Sequence, residues 1–275
     1  MQSALIAKIR SAGPDMTPAL TRVADHVLAQ SQSVLYQSIT EVAEEASSSE
    51  ASVMRFCREL GFTGFQNFKL ALAQELAANG QVSLPAGSSD PVQSLIETAK
   101  MALDETERLL DREVLVAVAS ALLAATQIEI FGVAASAVTA QYLEYKLTRL
   151  GLRARAVADS HLATMIAATS EPRVVHLLVS SSGSTIDVVR VAELARESGA
   201  QTISITNRSK SPLAGLSDQV LLASWPETPL TGGAFPSKIS QLLIVDALVA
   251  YVMNVDPARF ETIKDTATSV SDRNY

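Results

Sequence analysis

The apolar positions change their period about a third of the way along the chain. Up to residue 78 every periodic segment has the helical spacing. Thr17 as cap and Pro18 as first residue open a helix that runs to about Gln30. Ser38-Ile39-Thr40-Glu41 has the form of a capping box and opens a short helix to about Ala46. Ser49-Glu50 opens a third helix, which Gly61 ends. Phe62, Phe65 and Phe68 follow, within and just before a last helix from about Gly64 to Ala77. Residues 79–90 carry Asn79-Gly80 and Pro85-Ala86-Gly87-Ser88-Ser89 without periodicity, so they read as a linker. Beyond it come helices over about 90–110 and 113–125. Short β-rich runs at 128–131, 154–157, 174–179, 202–205 and 219–222 then alternate with helical patterns at 136–150, 161–168, 185–198 and 237–253. That alternation is the sign of βαβ units on a parallel sheet. The expected fold is an all-α domain over 1–78, a linker over 79–90, and a doubly wound five-stranded parallel α/β sandwich over 91–275. Sheets of that kind bind ligands beyond the C-terminal ends of their strands.

Composition narrows the class only a little. The chain has 275 residues, 48% of them hydrophobic and 19% charged, enough apolar material for sizeable cores without a metal or disulfide staple. Its single cysteine, Cys57, cannot form an intrachain disulfide or a Cys-based zinc site, which fits a cytoplasmic location. The longest mostly apolar run, 114–125, is about half of the roughly 20 residues a membrane span needs. Neither a leader nor a membrane partner is expected. The net charge of −7 weighs against broad nucleic-acid binding, and the first 80 residues hold six basic against eight acidic side chains. Any DNA contact must therefore come from a few well-placed arginines, doubled by dimerisation.

The second and third helices of the first domain supply such a placement. Two short helices separated by two or three residues suit a helix-turn-helix, whose second helix enters the major groove. On that second helix Val53, Phe56, Cys57 and Leu60 share one side, while Ala51, Arg55 and Arg58 lie opposite. A small residue beside two arginines lets the backbone approach DNA, where arginine binds guanine or phosphate. Ser49 and Ser52 lie in the first turn, where hydroxyls and free N–H groups favour phosphate. Taken alone, the same wheel also describes an ordinary solvated helix.

A second constellation follows the most apolar strand. Ser180-Ser181-Ser182-Gly183-Ser184-Thr185 leads from strand into helix, so hydroxyls, a glycine and a helix N-terminus meet at one junction. Ser136 lies at the corresponding junction after the first strand. These groups can neutralise a dianion without a basic side chain. Simple N-capping by single serines is the competing explanation. His161, near another strand end, is within reach of a ligand hydroxyl or serves as a surface residue; His176, inside a strand, is expected to be packed.

Both constellations coincide with known patterns. Residues 1–77 resemble the N-terminal domain of the RpiR family of bacterial regulators, through SVMRFCRELGFTGFQNFKL from Ser52 to Leu70 and through Ser38-Ile39-Thr40-Glu41-Val42-Ala43. Ser47 and Ser48 stand where that family usually has Gly-Val. Residues 92–253 resemble a SIS (sugar isomerase) domain, whose Ser-x-Ser-Gly-x-Thr motif stands here at 180–185. Supporting segments are Asp159-Ser160-His161, Ile205-Thr206-Asn207, Ser211-Pro212-Leu213-Ala214 and Ser237-Lys238-Ile239-Ser240-Gln241-Leu242. Ala134 replaces the second glycine of the usual first loop. The resemblance implies a transcription regulator of carbohydrate metabolism. Ser49, Ser52, Arg55, Arg58 and Lys69 would meet double-stranded operator DNA. Ser136, Ser180, Ser181, Ser182, Thr185 and His161 would bind a phosphosugar effector. A homo-oligomer, dimer or tetramer, is implied as well, with no cofactor and no metal. The rival reading is a SIS-type phosphosugar isomerase, which needs a base beside the substrate carbonyl. No convincing acid/base pair stands out, so no catalytic residue is assigned and no enzyme is expected.

Overall fold

The computed structural model describes residues 5–81, 90–225 and 227–271. The expected linker lies mostly outside the described residues, at 82–89. Among the described residues six α-helices precede it: α1 (Leu5–Ala12), α2 (Pro18–Ala29), α3 (Ser31–Val34), α4 (Ile39–Glu45), α5 (Glu50–Glu59) and α6 (Phe65–Ala78). Their buried faces form one core that includes Ile9, Leu20, Val23, Leu35, Val42, Phe56, Phe68 and Leu72. Phe68 is its hub, with the Phe56 and Phe62 rings packed edge-on at 5.5 and 5.6 Å. Gly61, at φ +86°, ends α5 in the left-handed conformation that glycine alone takes without strain.

The rest of the chain builds around a sheet. α7 (Pro91–Leu109) and α8 (Arg112–Ala124) lead into β1 (Gln127–Gly132), α9 (Ala135–Arg149), β2 (Ala154–Val157) and α10 (Ser160–Ala168). Then come β3 (Val174–Val179), α11 (Ile186–Glu197), β4 (Gln201–Thr206), α12 (Pro212–Leu216), β5 (Gln219–Leu222), α13 (Phe235–Val255) and α14 (Arg259–Thr268). All pairings are parallel, in the order β2-β1-β3-β4-β5. Ile128, Ile130, Leu177 and Ile203 face a core shared with α8, α9 and α13. Phe131 and Leu178 face a smaller core shared with α10, α11 and α12. Helices therefore cover both faces, as the apolar strands require. α13 is long and apolar enough to cross a membrane, yet its Ile244, Val245, Leu248 and Val252 are buried in the larger core.

The strand order reverses between β1 and β3. Register pairs Gly132 with Val179 and Val179 with Ile205, so the C-terminal ends of β1, β3 and β4 finish level. A crevice at such a reversal is where doubly wound sheets bind ligands. Four helices were not expected from the sequence: α1, α3, α12 and α14. α3 and α12 are four and five residues long, and α14 buries no residue, so none of the three shows an apolar stripe.

One buried polar group inside the sheet makes stability depend on pH. His176 is 2% exposed, and its Nε2 pairs with Ser170 Oγ at 2.7 Å. Burial pushes the imidazole down to about 4. The unfolded chain takes up this proton near pH 6.5, whereas the folded chain resists it until about pH 4. Acidification through that window therefore favours the unfolded state, and above it the group contributes no slope. Thermal melts between pH 7 and 5 should show the wild-type midpoint falling more steeply than that of His176→Gln. Parallel lines would contradict the assignment.

Candidate functional site

Two surfaces meet the requirements for function. The first is the exposed side of α5. Ser49 caps this helix, its Oγ accepting from Ser52 N at 3.2 Å, and the two hydroxyls lie 3.0 Å apart. Val53, Phe56 and Cys57 are buried against the other helices. Burial pushes the Cys57 thiol up to about 12, so it is a packing residue and not a nucleophile. Arg55 and Arg58 are exposed and form no ion pair among the described residues. They are two cations free to meet a phosphate or a base edge. Residues 46–49 separate α4 from α5, a slightly longer turn than the sequence suggested. Ser47 takes φ +48° there, and Arg22 Nε holds its carbonyl at 3.0 Å. The residue that replaces the usual glycine thus keeps the glycine's left-handed conformation.

Lys69 requires a correction. It was grouped with the DNA contacts, but it is 4% exposed and points inward. Its Nζ donates to Gln37 O at 2.8 Å and to Leu35 O at 3.5 Å, satisfying carbonyls just before α4. Burial, with help from nearby Arg208, lowers its pKa to about 8. An ammonium committed to buried carbonyls cannot reach a phosphate.

The second surface is the level edge of β1, β3 and β4. Ser180, 2% exposed, directly follows β3; its Oγ accepts from Gly183 N at 3.1 Å and lies 3.1 Å from Thr185 Oγ1. Ser182 Oγ accepts from Ser184 N at 3.2 Å. Thr185 is the N-cap residue of α11 but makes no side-chain cap, so the first-turn N–H groups of that helix keep no side-chain partner. Free N–H groups and the positive helix end together favour an anion. Gly183, at φ +61°, is required twice: by its conformation, and because a methyl there would collide with Ser211 Oγ and Cβ. Ser136, 8% exposed, starts the helix after β1. Gly132 lets that helix close on the strand, since a Cβ would stand 2.8 Å from Ser136 O. His161 is exposed in the first turn of α10, after β2, and touches none of these groups.

Ser181 differs from its neighbours. Its hydroxyl faces α13, accepting from Lys238 Nζ at 3.1 Å and from Gln241 Nε2 at 3.0 Å. Gln241 Nε2 also reaches Asn207 Oδ1 at 3.2 Å, and Asn207 Nδ2 holds Ser237 Oγ and the Trp225 carbonyl. The cradle hydroxyls need no basic side chain to meet a dianion, yet one is present: Lys238 stands behind them. Burial lowers the Lys238 pKa, opposed by Glu227. The sequence did hold a signal for this pair. Lys238 and Gln241 are long polar residues three apart on a mostly apolar helix, a spacing that brings them together.

This geometry describes a helix-turn-helix protein with an anion-binding α/β sensor domain, and comparison with known proteins agrees. Residues 3–79 match the model of the helix-turn-helix domain of the rpiR family, and residues 121–251 match the SIS domain. An HTH-type transcriptional regulator of Caldanaerobacter subterraneus subsp. tengcongensis is 35% identical over 90% of this chain and 90% of its own. RpiR of Escherichia coli K12 is 30% identical over 92% of this chain and 88% of its own. The solved structure of Vibrio vulnificus NanR complexed with ManNAc-6P superposes with a TM-score of 0.91 at 35% identity, covering 98% of this chain and all of that one. The chain belongs to the RpiR family and is a DNA-binding transcriptional regulator.

Ala134 supplies a stability prediction. It takes φ +53°, ψ −123°, a region that favours glycine. Such backbone costs a non-glycine residue about 1–3 kcal/mol. Glycine's freedom in the unfolded chain offsets about 0.4–1 kcal/mol of that. Ala134→Gly should therefore raise stability by about 1 kcal/mol in denaturant titration, and Ala134→Val should lower it. A loss of stability in the glycine variant would show that the strain reading is wrong.

Proposed function

We propose that this regulator senses a phosphorylated sugar at the level edge of β1, β3 and β4, and that occupancy there sets its affinity for operator DNA. The observation that carries the reading is the uncapped N-terminus of α11, ringed by the hydroxyls of Ser180, Ser182 and Thr185 and backed by Lys238. Its N–H groups would take the phosphate oxygens, with Ser136 closing the far side of the crevice. Ser181 would act through Lys238 and Gln241, and His161, at the rim, would meet sugar hydroxyls. The likeness to NanR, whose solved complex holds ManNAc-6P, supports a sugar phosphate as the class of ligand.

On the DNA side, Arg55 and Arg58 would contact base edges and phosphates, with Ser49 and Ser52 on the backbone. Two free arginines on one module give few contacts, so a homo-oligomer reading paired half-sites fits better than a monomer. The domain division we propose is 1–78 for DNA, 79–90 as connection and 91–275 for the sensor, working in the cytoplasm where the DNA is. We also infer that the sensor domain is not an isomerase. His176, in the sheet, is paired with Ser170, His161 is solvent-facing with no carboxylate partner among the described residues, and the curated relatives compared above carry regulator names.

Calorimetric titration with a panel of sugar phosphates that includes ManNAc-6P, each beside its dephosphorylated form, tests the sensor. Losing one hydrogen bond to a charged group costs about 1.5–3 kcal/mol. Ser182→Ala should bind the best phosphate tenfold or more weakly. Arg55→Ala should instead keep ligand affinity and lose about 1–3 kcal/mol of DNA binding if Arg55 reads a base. Equal binding of free sugar and sugar phosphate by the wild type would overturn the cradle reading.

A further inference from the structure

The segment after β4, residues 207–211, belongs to two places at once. On one side it is locked to the loop at 180–185. Asn207 N donates to Ser181 O at 3.1 Å, Leu213 N to Gly183 O at 2.9 Å, and Gly183 packs against Ser211 with no room for a side chain. Ser211, 4% exposed, holds the segment's shape: its Oγ donates to Arg208 O at 3.1 Å and accepts from Ala214 N at 3.2 Å.

On the other side the same segment grips the DNA-reading domain. Ser38 Oγ, the cap of α4, donates to Lys210 O at 2.5 Å while still accepting from Glu41 N at 3.1 Å. Lys210 Nζ meets Glu44 at 2.6 Å, and Arg208 Nη1 lies 4.0 Å from Glu41. Among the described residues these are the hydrogen bonds and ion pairs that join the two domains, and each has one end in 208–210 and the other in α4 or its cap. The Lys210–Glu44 pair is solvent-exposed and therefore weak. Arg208 and Glu41 are better shielded from solvent, at 15% and 22% side-chain exposure, so their attraction is screened less. Buried Lys69 lies close enough to Arg208 to repel it. Beside the grip, a cleft of about 780 Å³ keeps α5 and α6 apart from α11 and α12, with Met54, Phe65, Ile186 and Ser184 on its walls. The seam is thus narrow, polar and flanked by open space.

We propose that residues 207–211 are the coupling element of this protein: a shift of the loop at 180–185 moves this segment, which resets the position of α4 and of the reading helix packed on it. The proposal rests on the anion-cradle reading for its natural trigger, but the mechanical link does not need a ligand. Lys210 makes the two short contacts of the link, and Arg208 adds its least exposed charge. Arg208 is a positioning residue, since its side chain bonds to none of the cradle hydroxyls. When the polar contacts between two domains fall in one short segment, a small shift there is expected to switch the seam between discrete positions, because packed cores do not deform continuously.

Hydrogen–deuterium exchange on the full chain, without ligand, tests the link. Gly183→Ala pushes Ser211 by direct collision, and Ser211→Ala, a milder change should the first fail to fold, removes the bonds that shape the segment. Either variant should raise exchange in α4 at least threefold over wild type while α8 and α9 stay unchanged. In a background carrying Arg208→Gln and Lys210→Ala, α4 should already exchange faster, and adding Ser211→Ala should have no further effect there. A folded Gly183→Ala or Ser211→Ala protein whose α4 exchanges as in wild type would overturn the proposal. So would an Arg208→Gln, Lys210→Ala protein with wild-type α4. Titration with ManNAc-6P, read by the single Trp225 whose carbonyl accepts from Asn207 at 2.6 Å, separates the two claims. Failure of every sugar phosphate to bind refutes the sensor reading but leaves the exchange result standing.

Discussion

The close approach of Gly183 to Ser211 is the constraint on which the sensor half depends. Two loops, after β3 and after β4, touch without a side chain between them. This contact lets Ser180 fold back on Gly183 N, leaves the N-terminus of α11 open, and holds Ser211 where it shapes the next segment. A parallel sheet makes such a contact available, because its register brings consecutive strand ends to one level. The anion site we propose and the route we propose out of it both rest on this one contact.

Charge is distributed to match. Arg55 and Arg58 face solvent without an ion-pair partner among the described residues, and they lie on the helix that would meet DNA. Buried Lys69 and partly buried Arg208 lie at the seam, where carbonyls and Glu41 compensate them only in part. Buried charge is costly unless it is paired, so a seam built this way is poised rather than rigid. An apolar seam of the same size would hold the two domains more firmly and report less.

Much of this was legible in the sequence. All five strands were placed to within a residue, since near-continuous apolar runs between helical patterns have few other readings. The amphipathic wheel of the reading helix and the serine-rich strand-to-helix junction pointed to an exposed helix face and to the level strand ends. What the sequence hid was orientation. Lys69 belongs to the motif that marks the first domain, yet its side chain turns inward to carbonyls that no local pattern reveals. Lys238 is 57 residues from Ser181, and only the fold brings their side chains together. Ala134 was recognised as a departure from glycine, but its positive φ is what gives the departure a cost. The seam joins Ser38 to Lys210 across 172 positions, a distance over which periodicity carries no information.

The central claim is that ligand occupancy reaches DNA through Arg208 and its neighbours. Fluorescence anisotropy on a DNA fragment that the protein itself selects from a random pool, with and without the sugar phosphate that binds best, measures this directly. Wild type should change its DNA affinity about tenfold on saturation, a coupling of about 1.4 kcal/mol. Arg208→Gln should bind the ligand as wild type does and change its DNA affinity less than twofold. An undiminished response in Arg208→Gln would contradict the account.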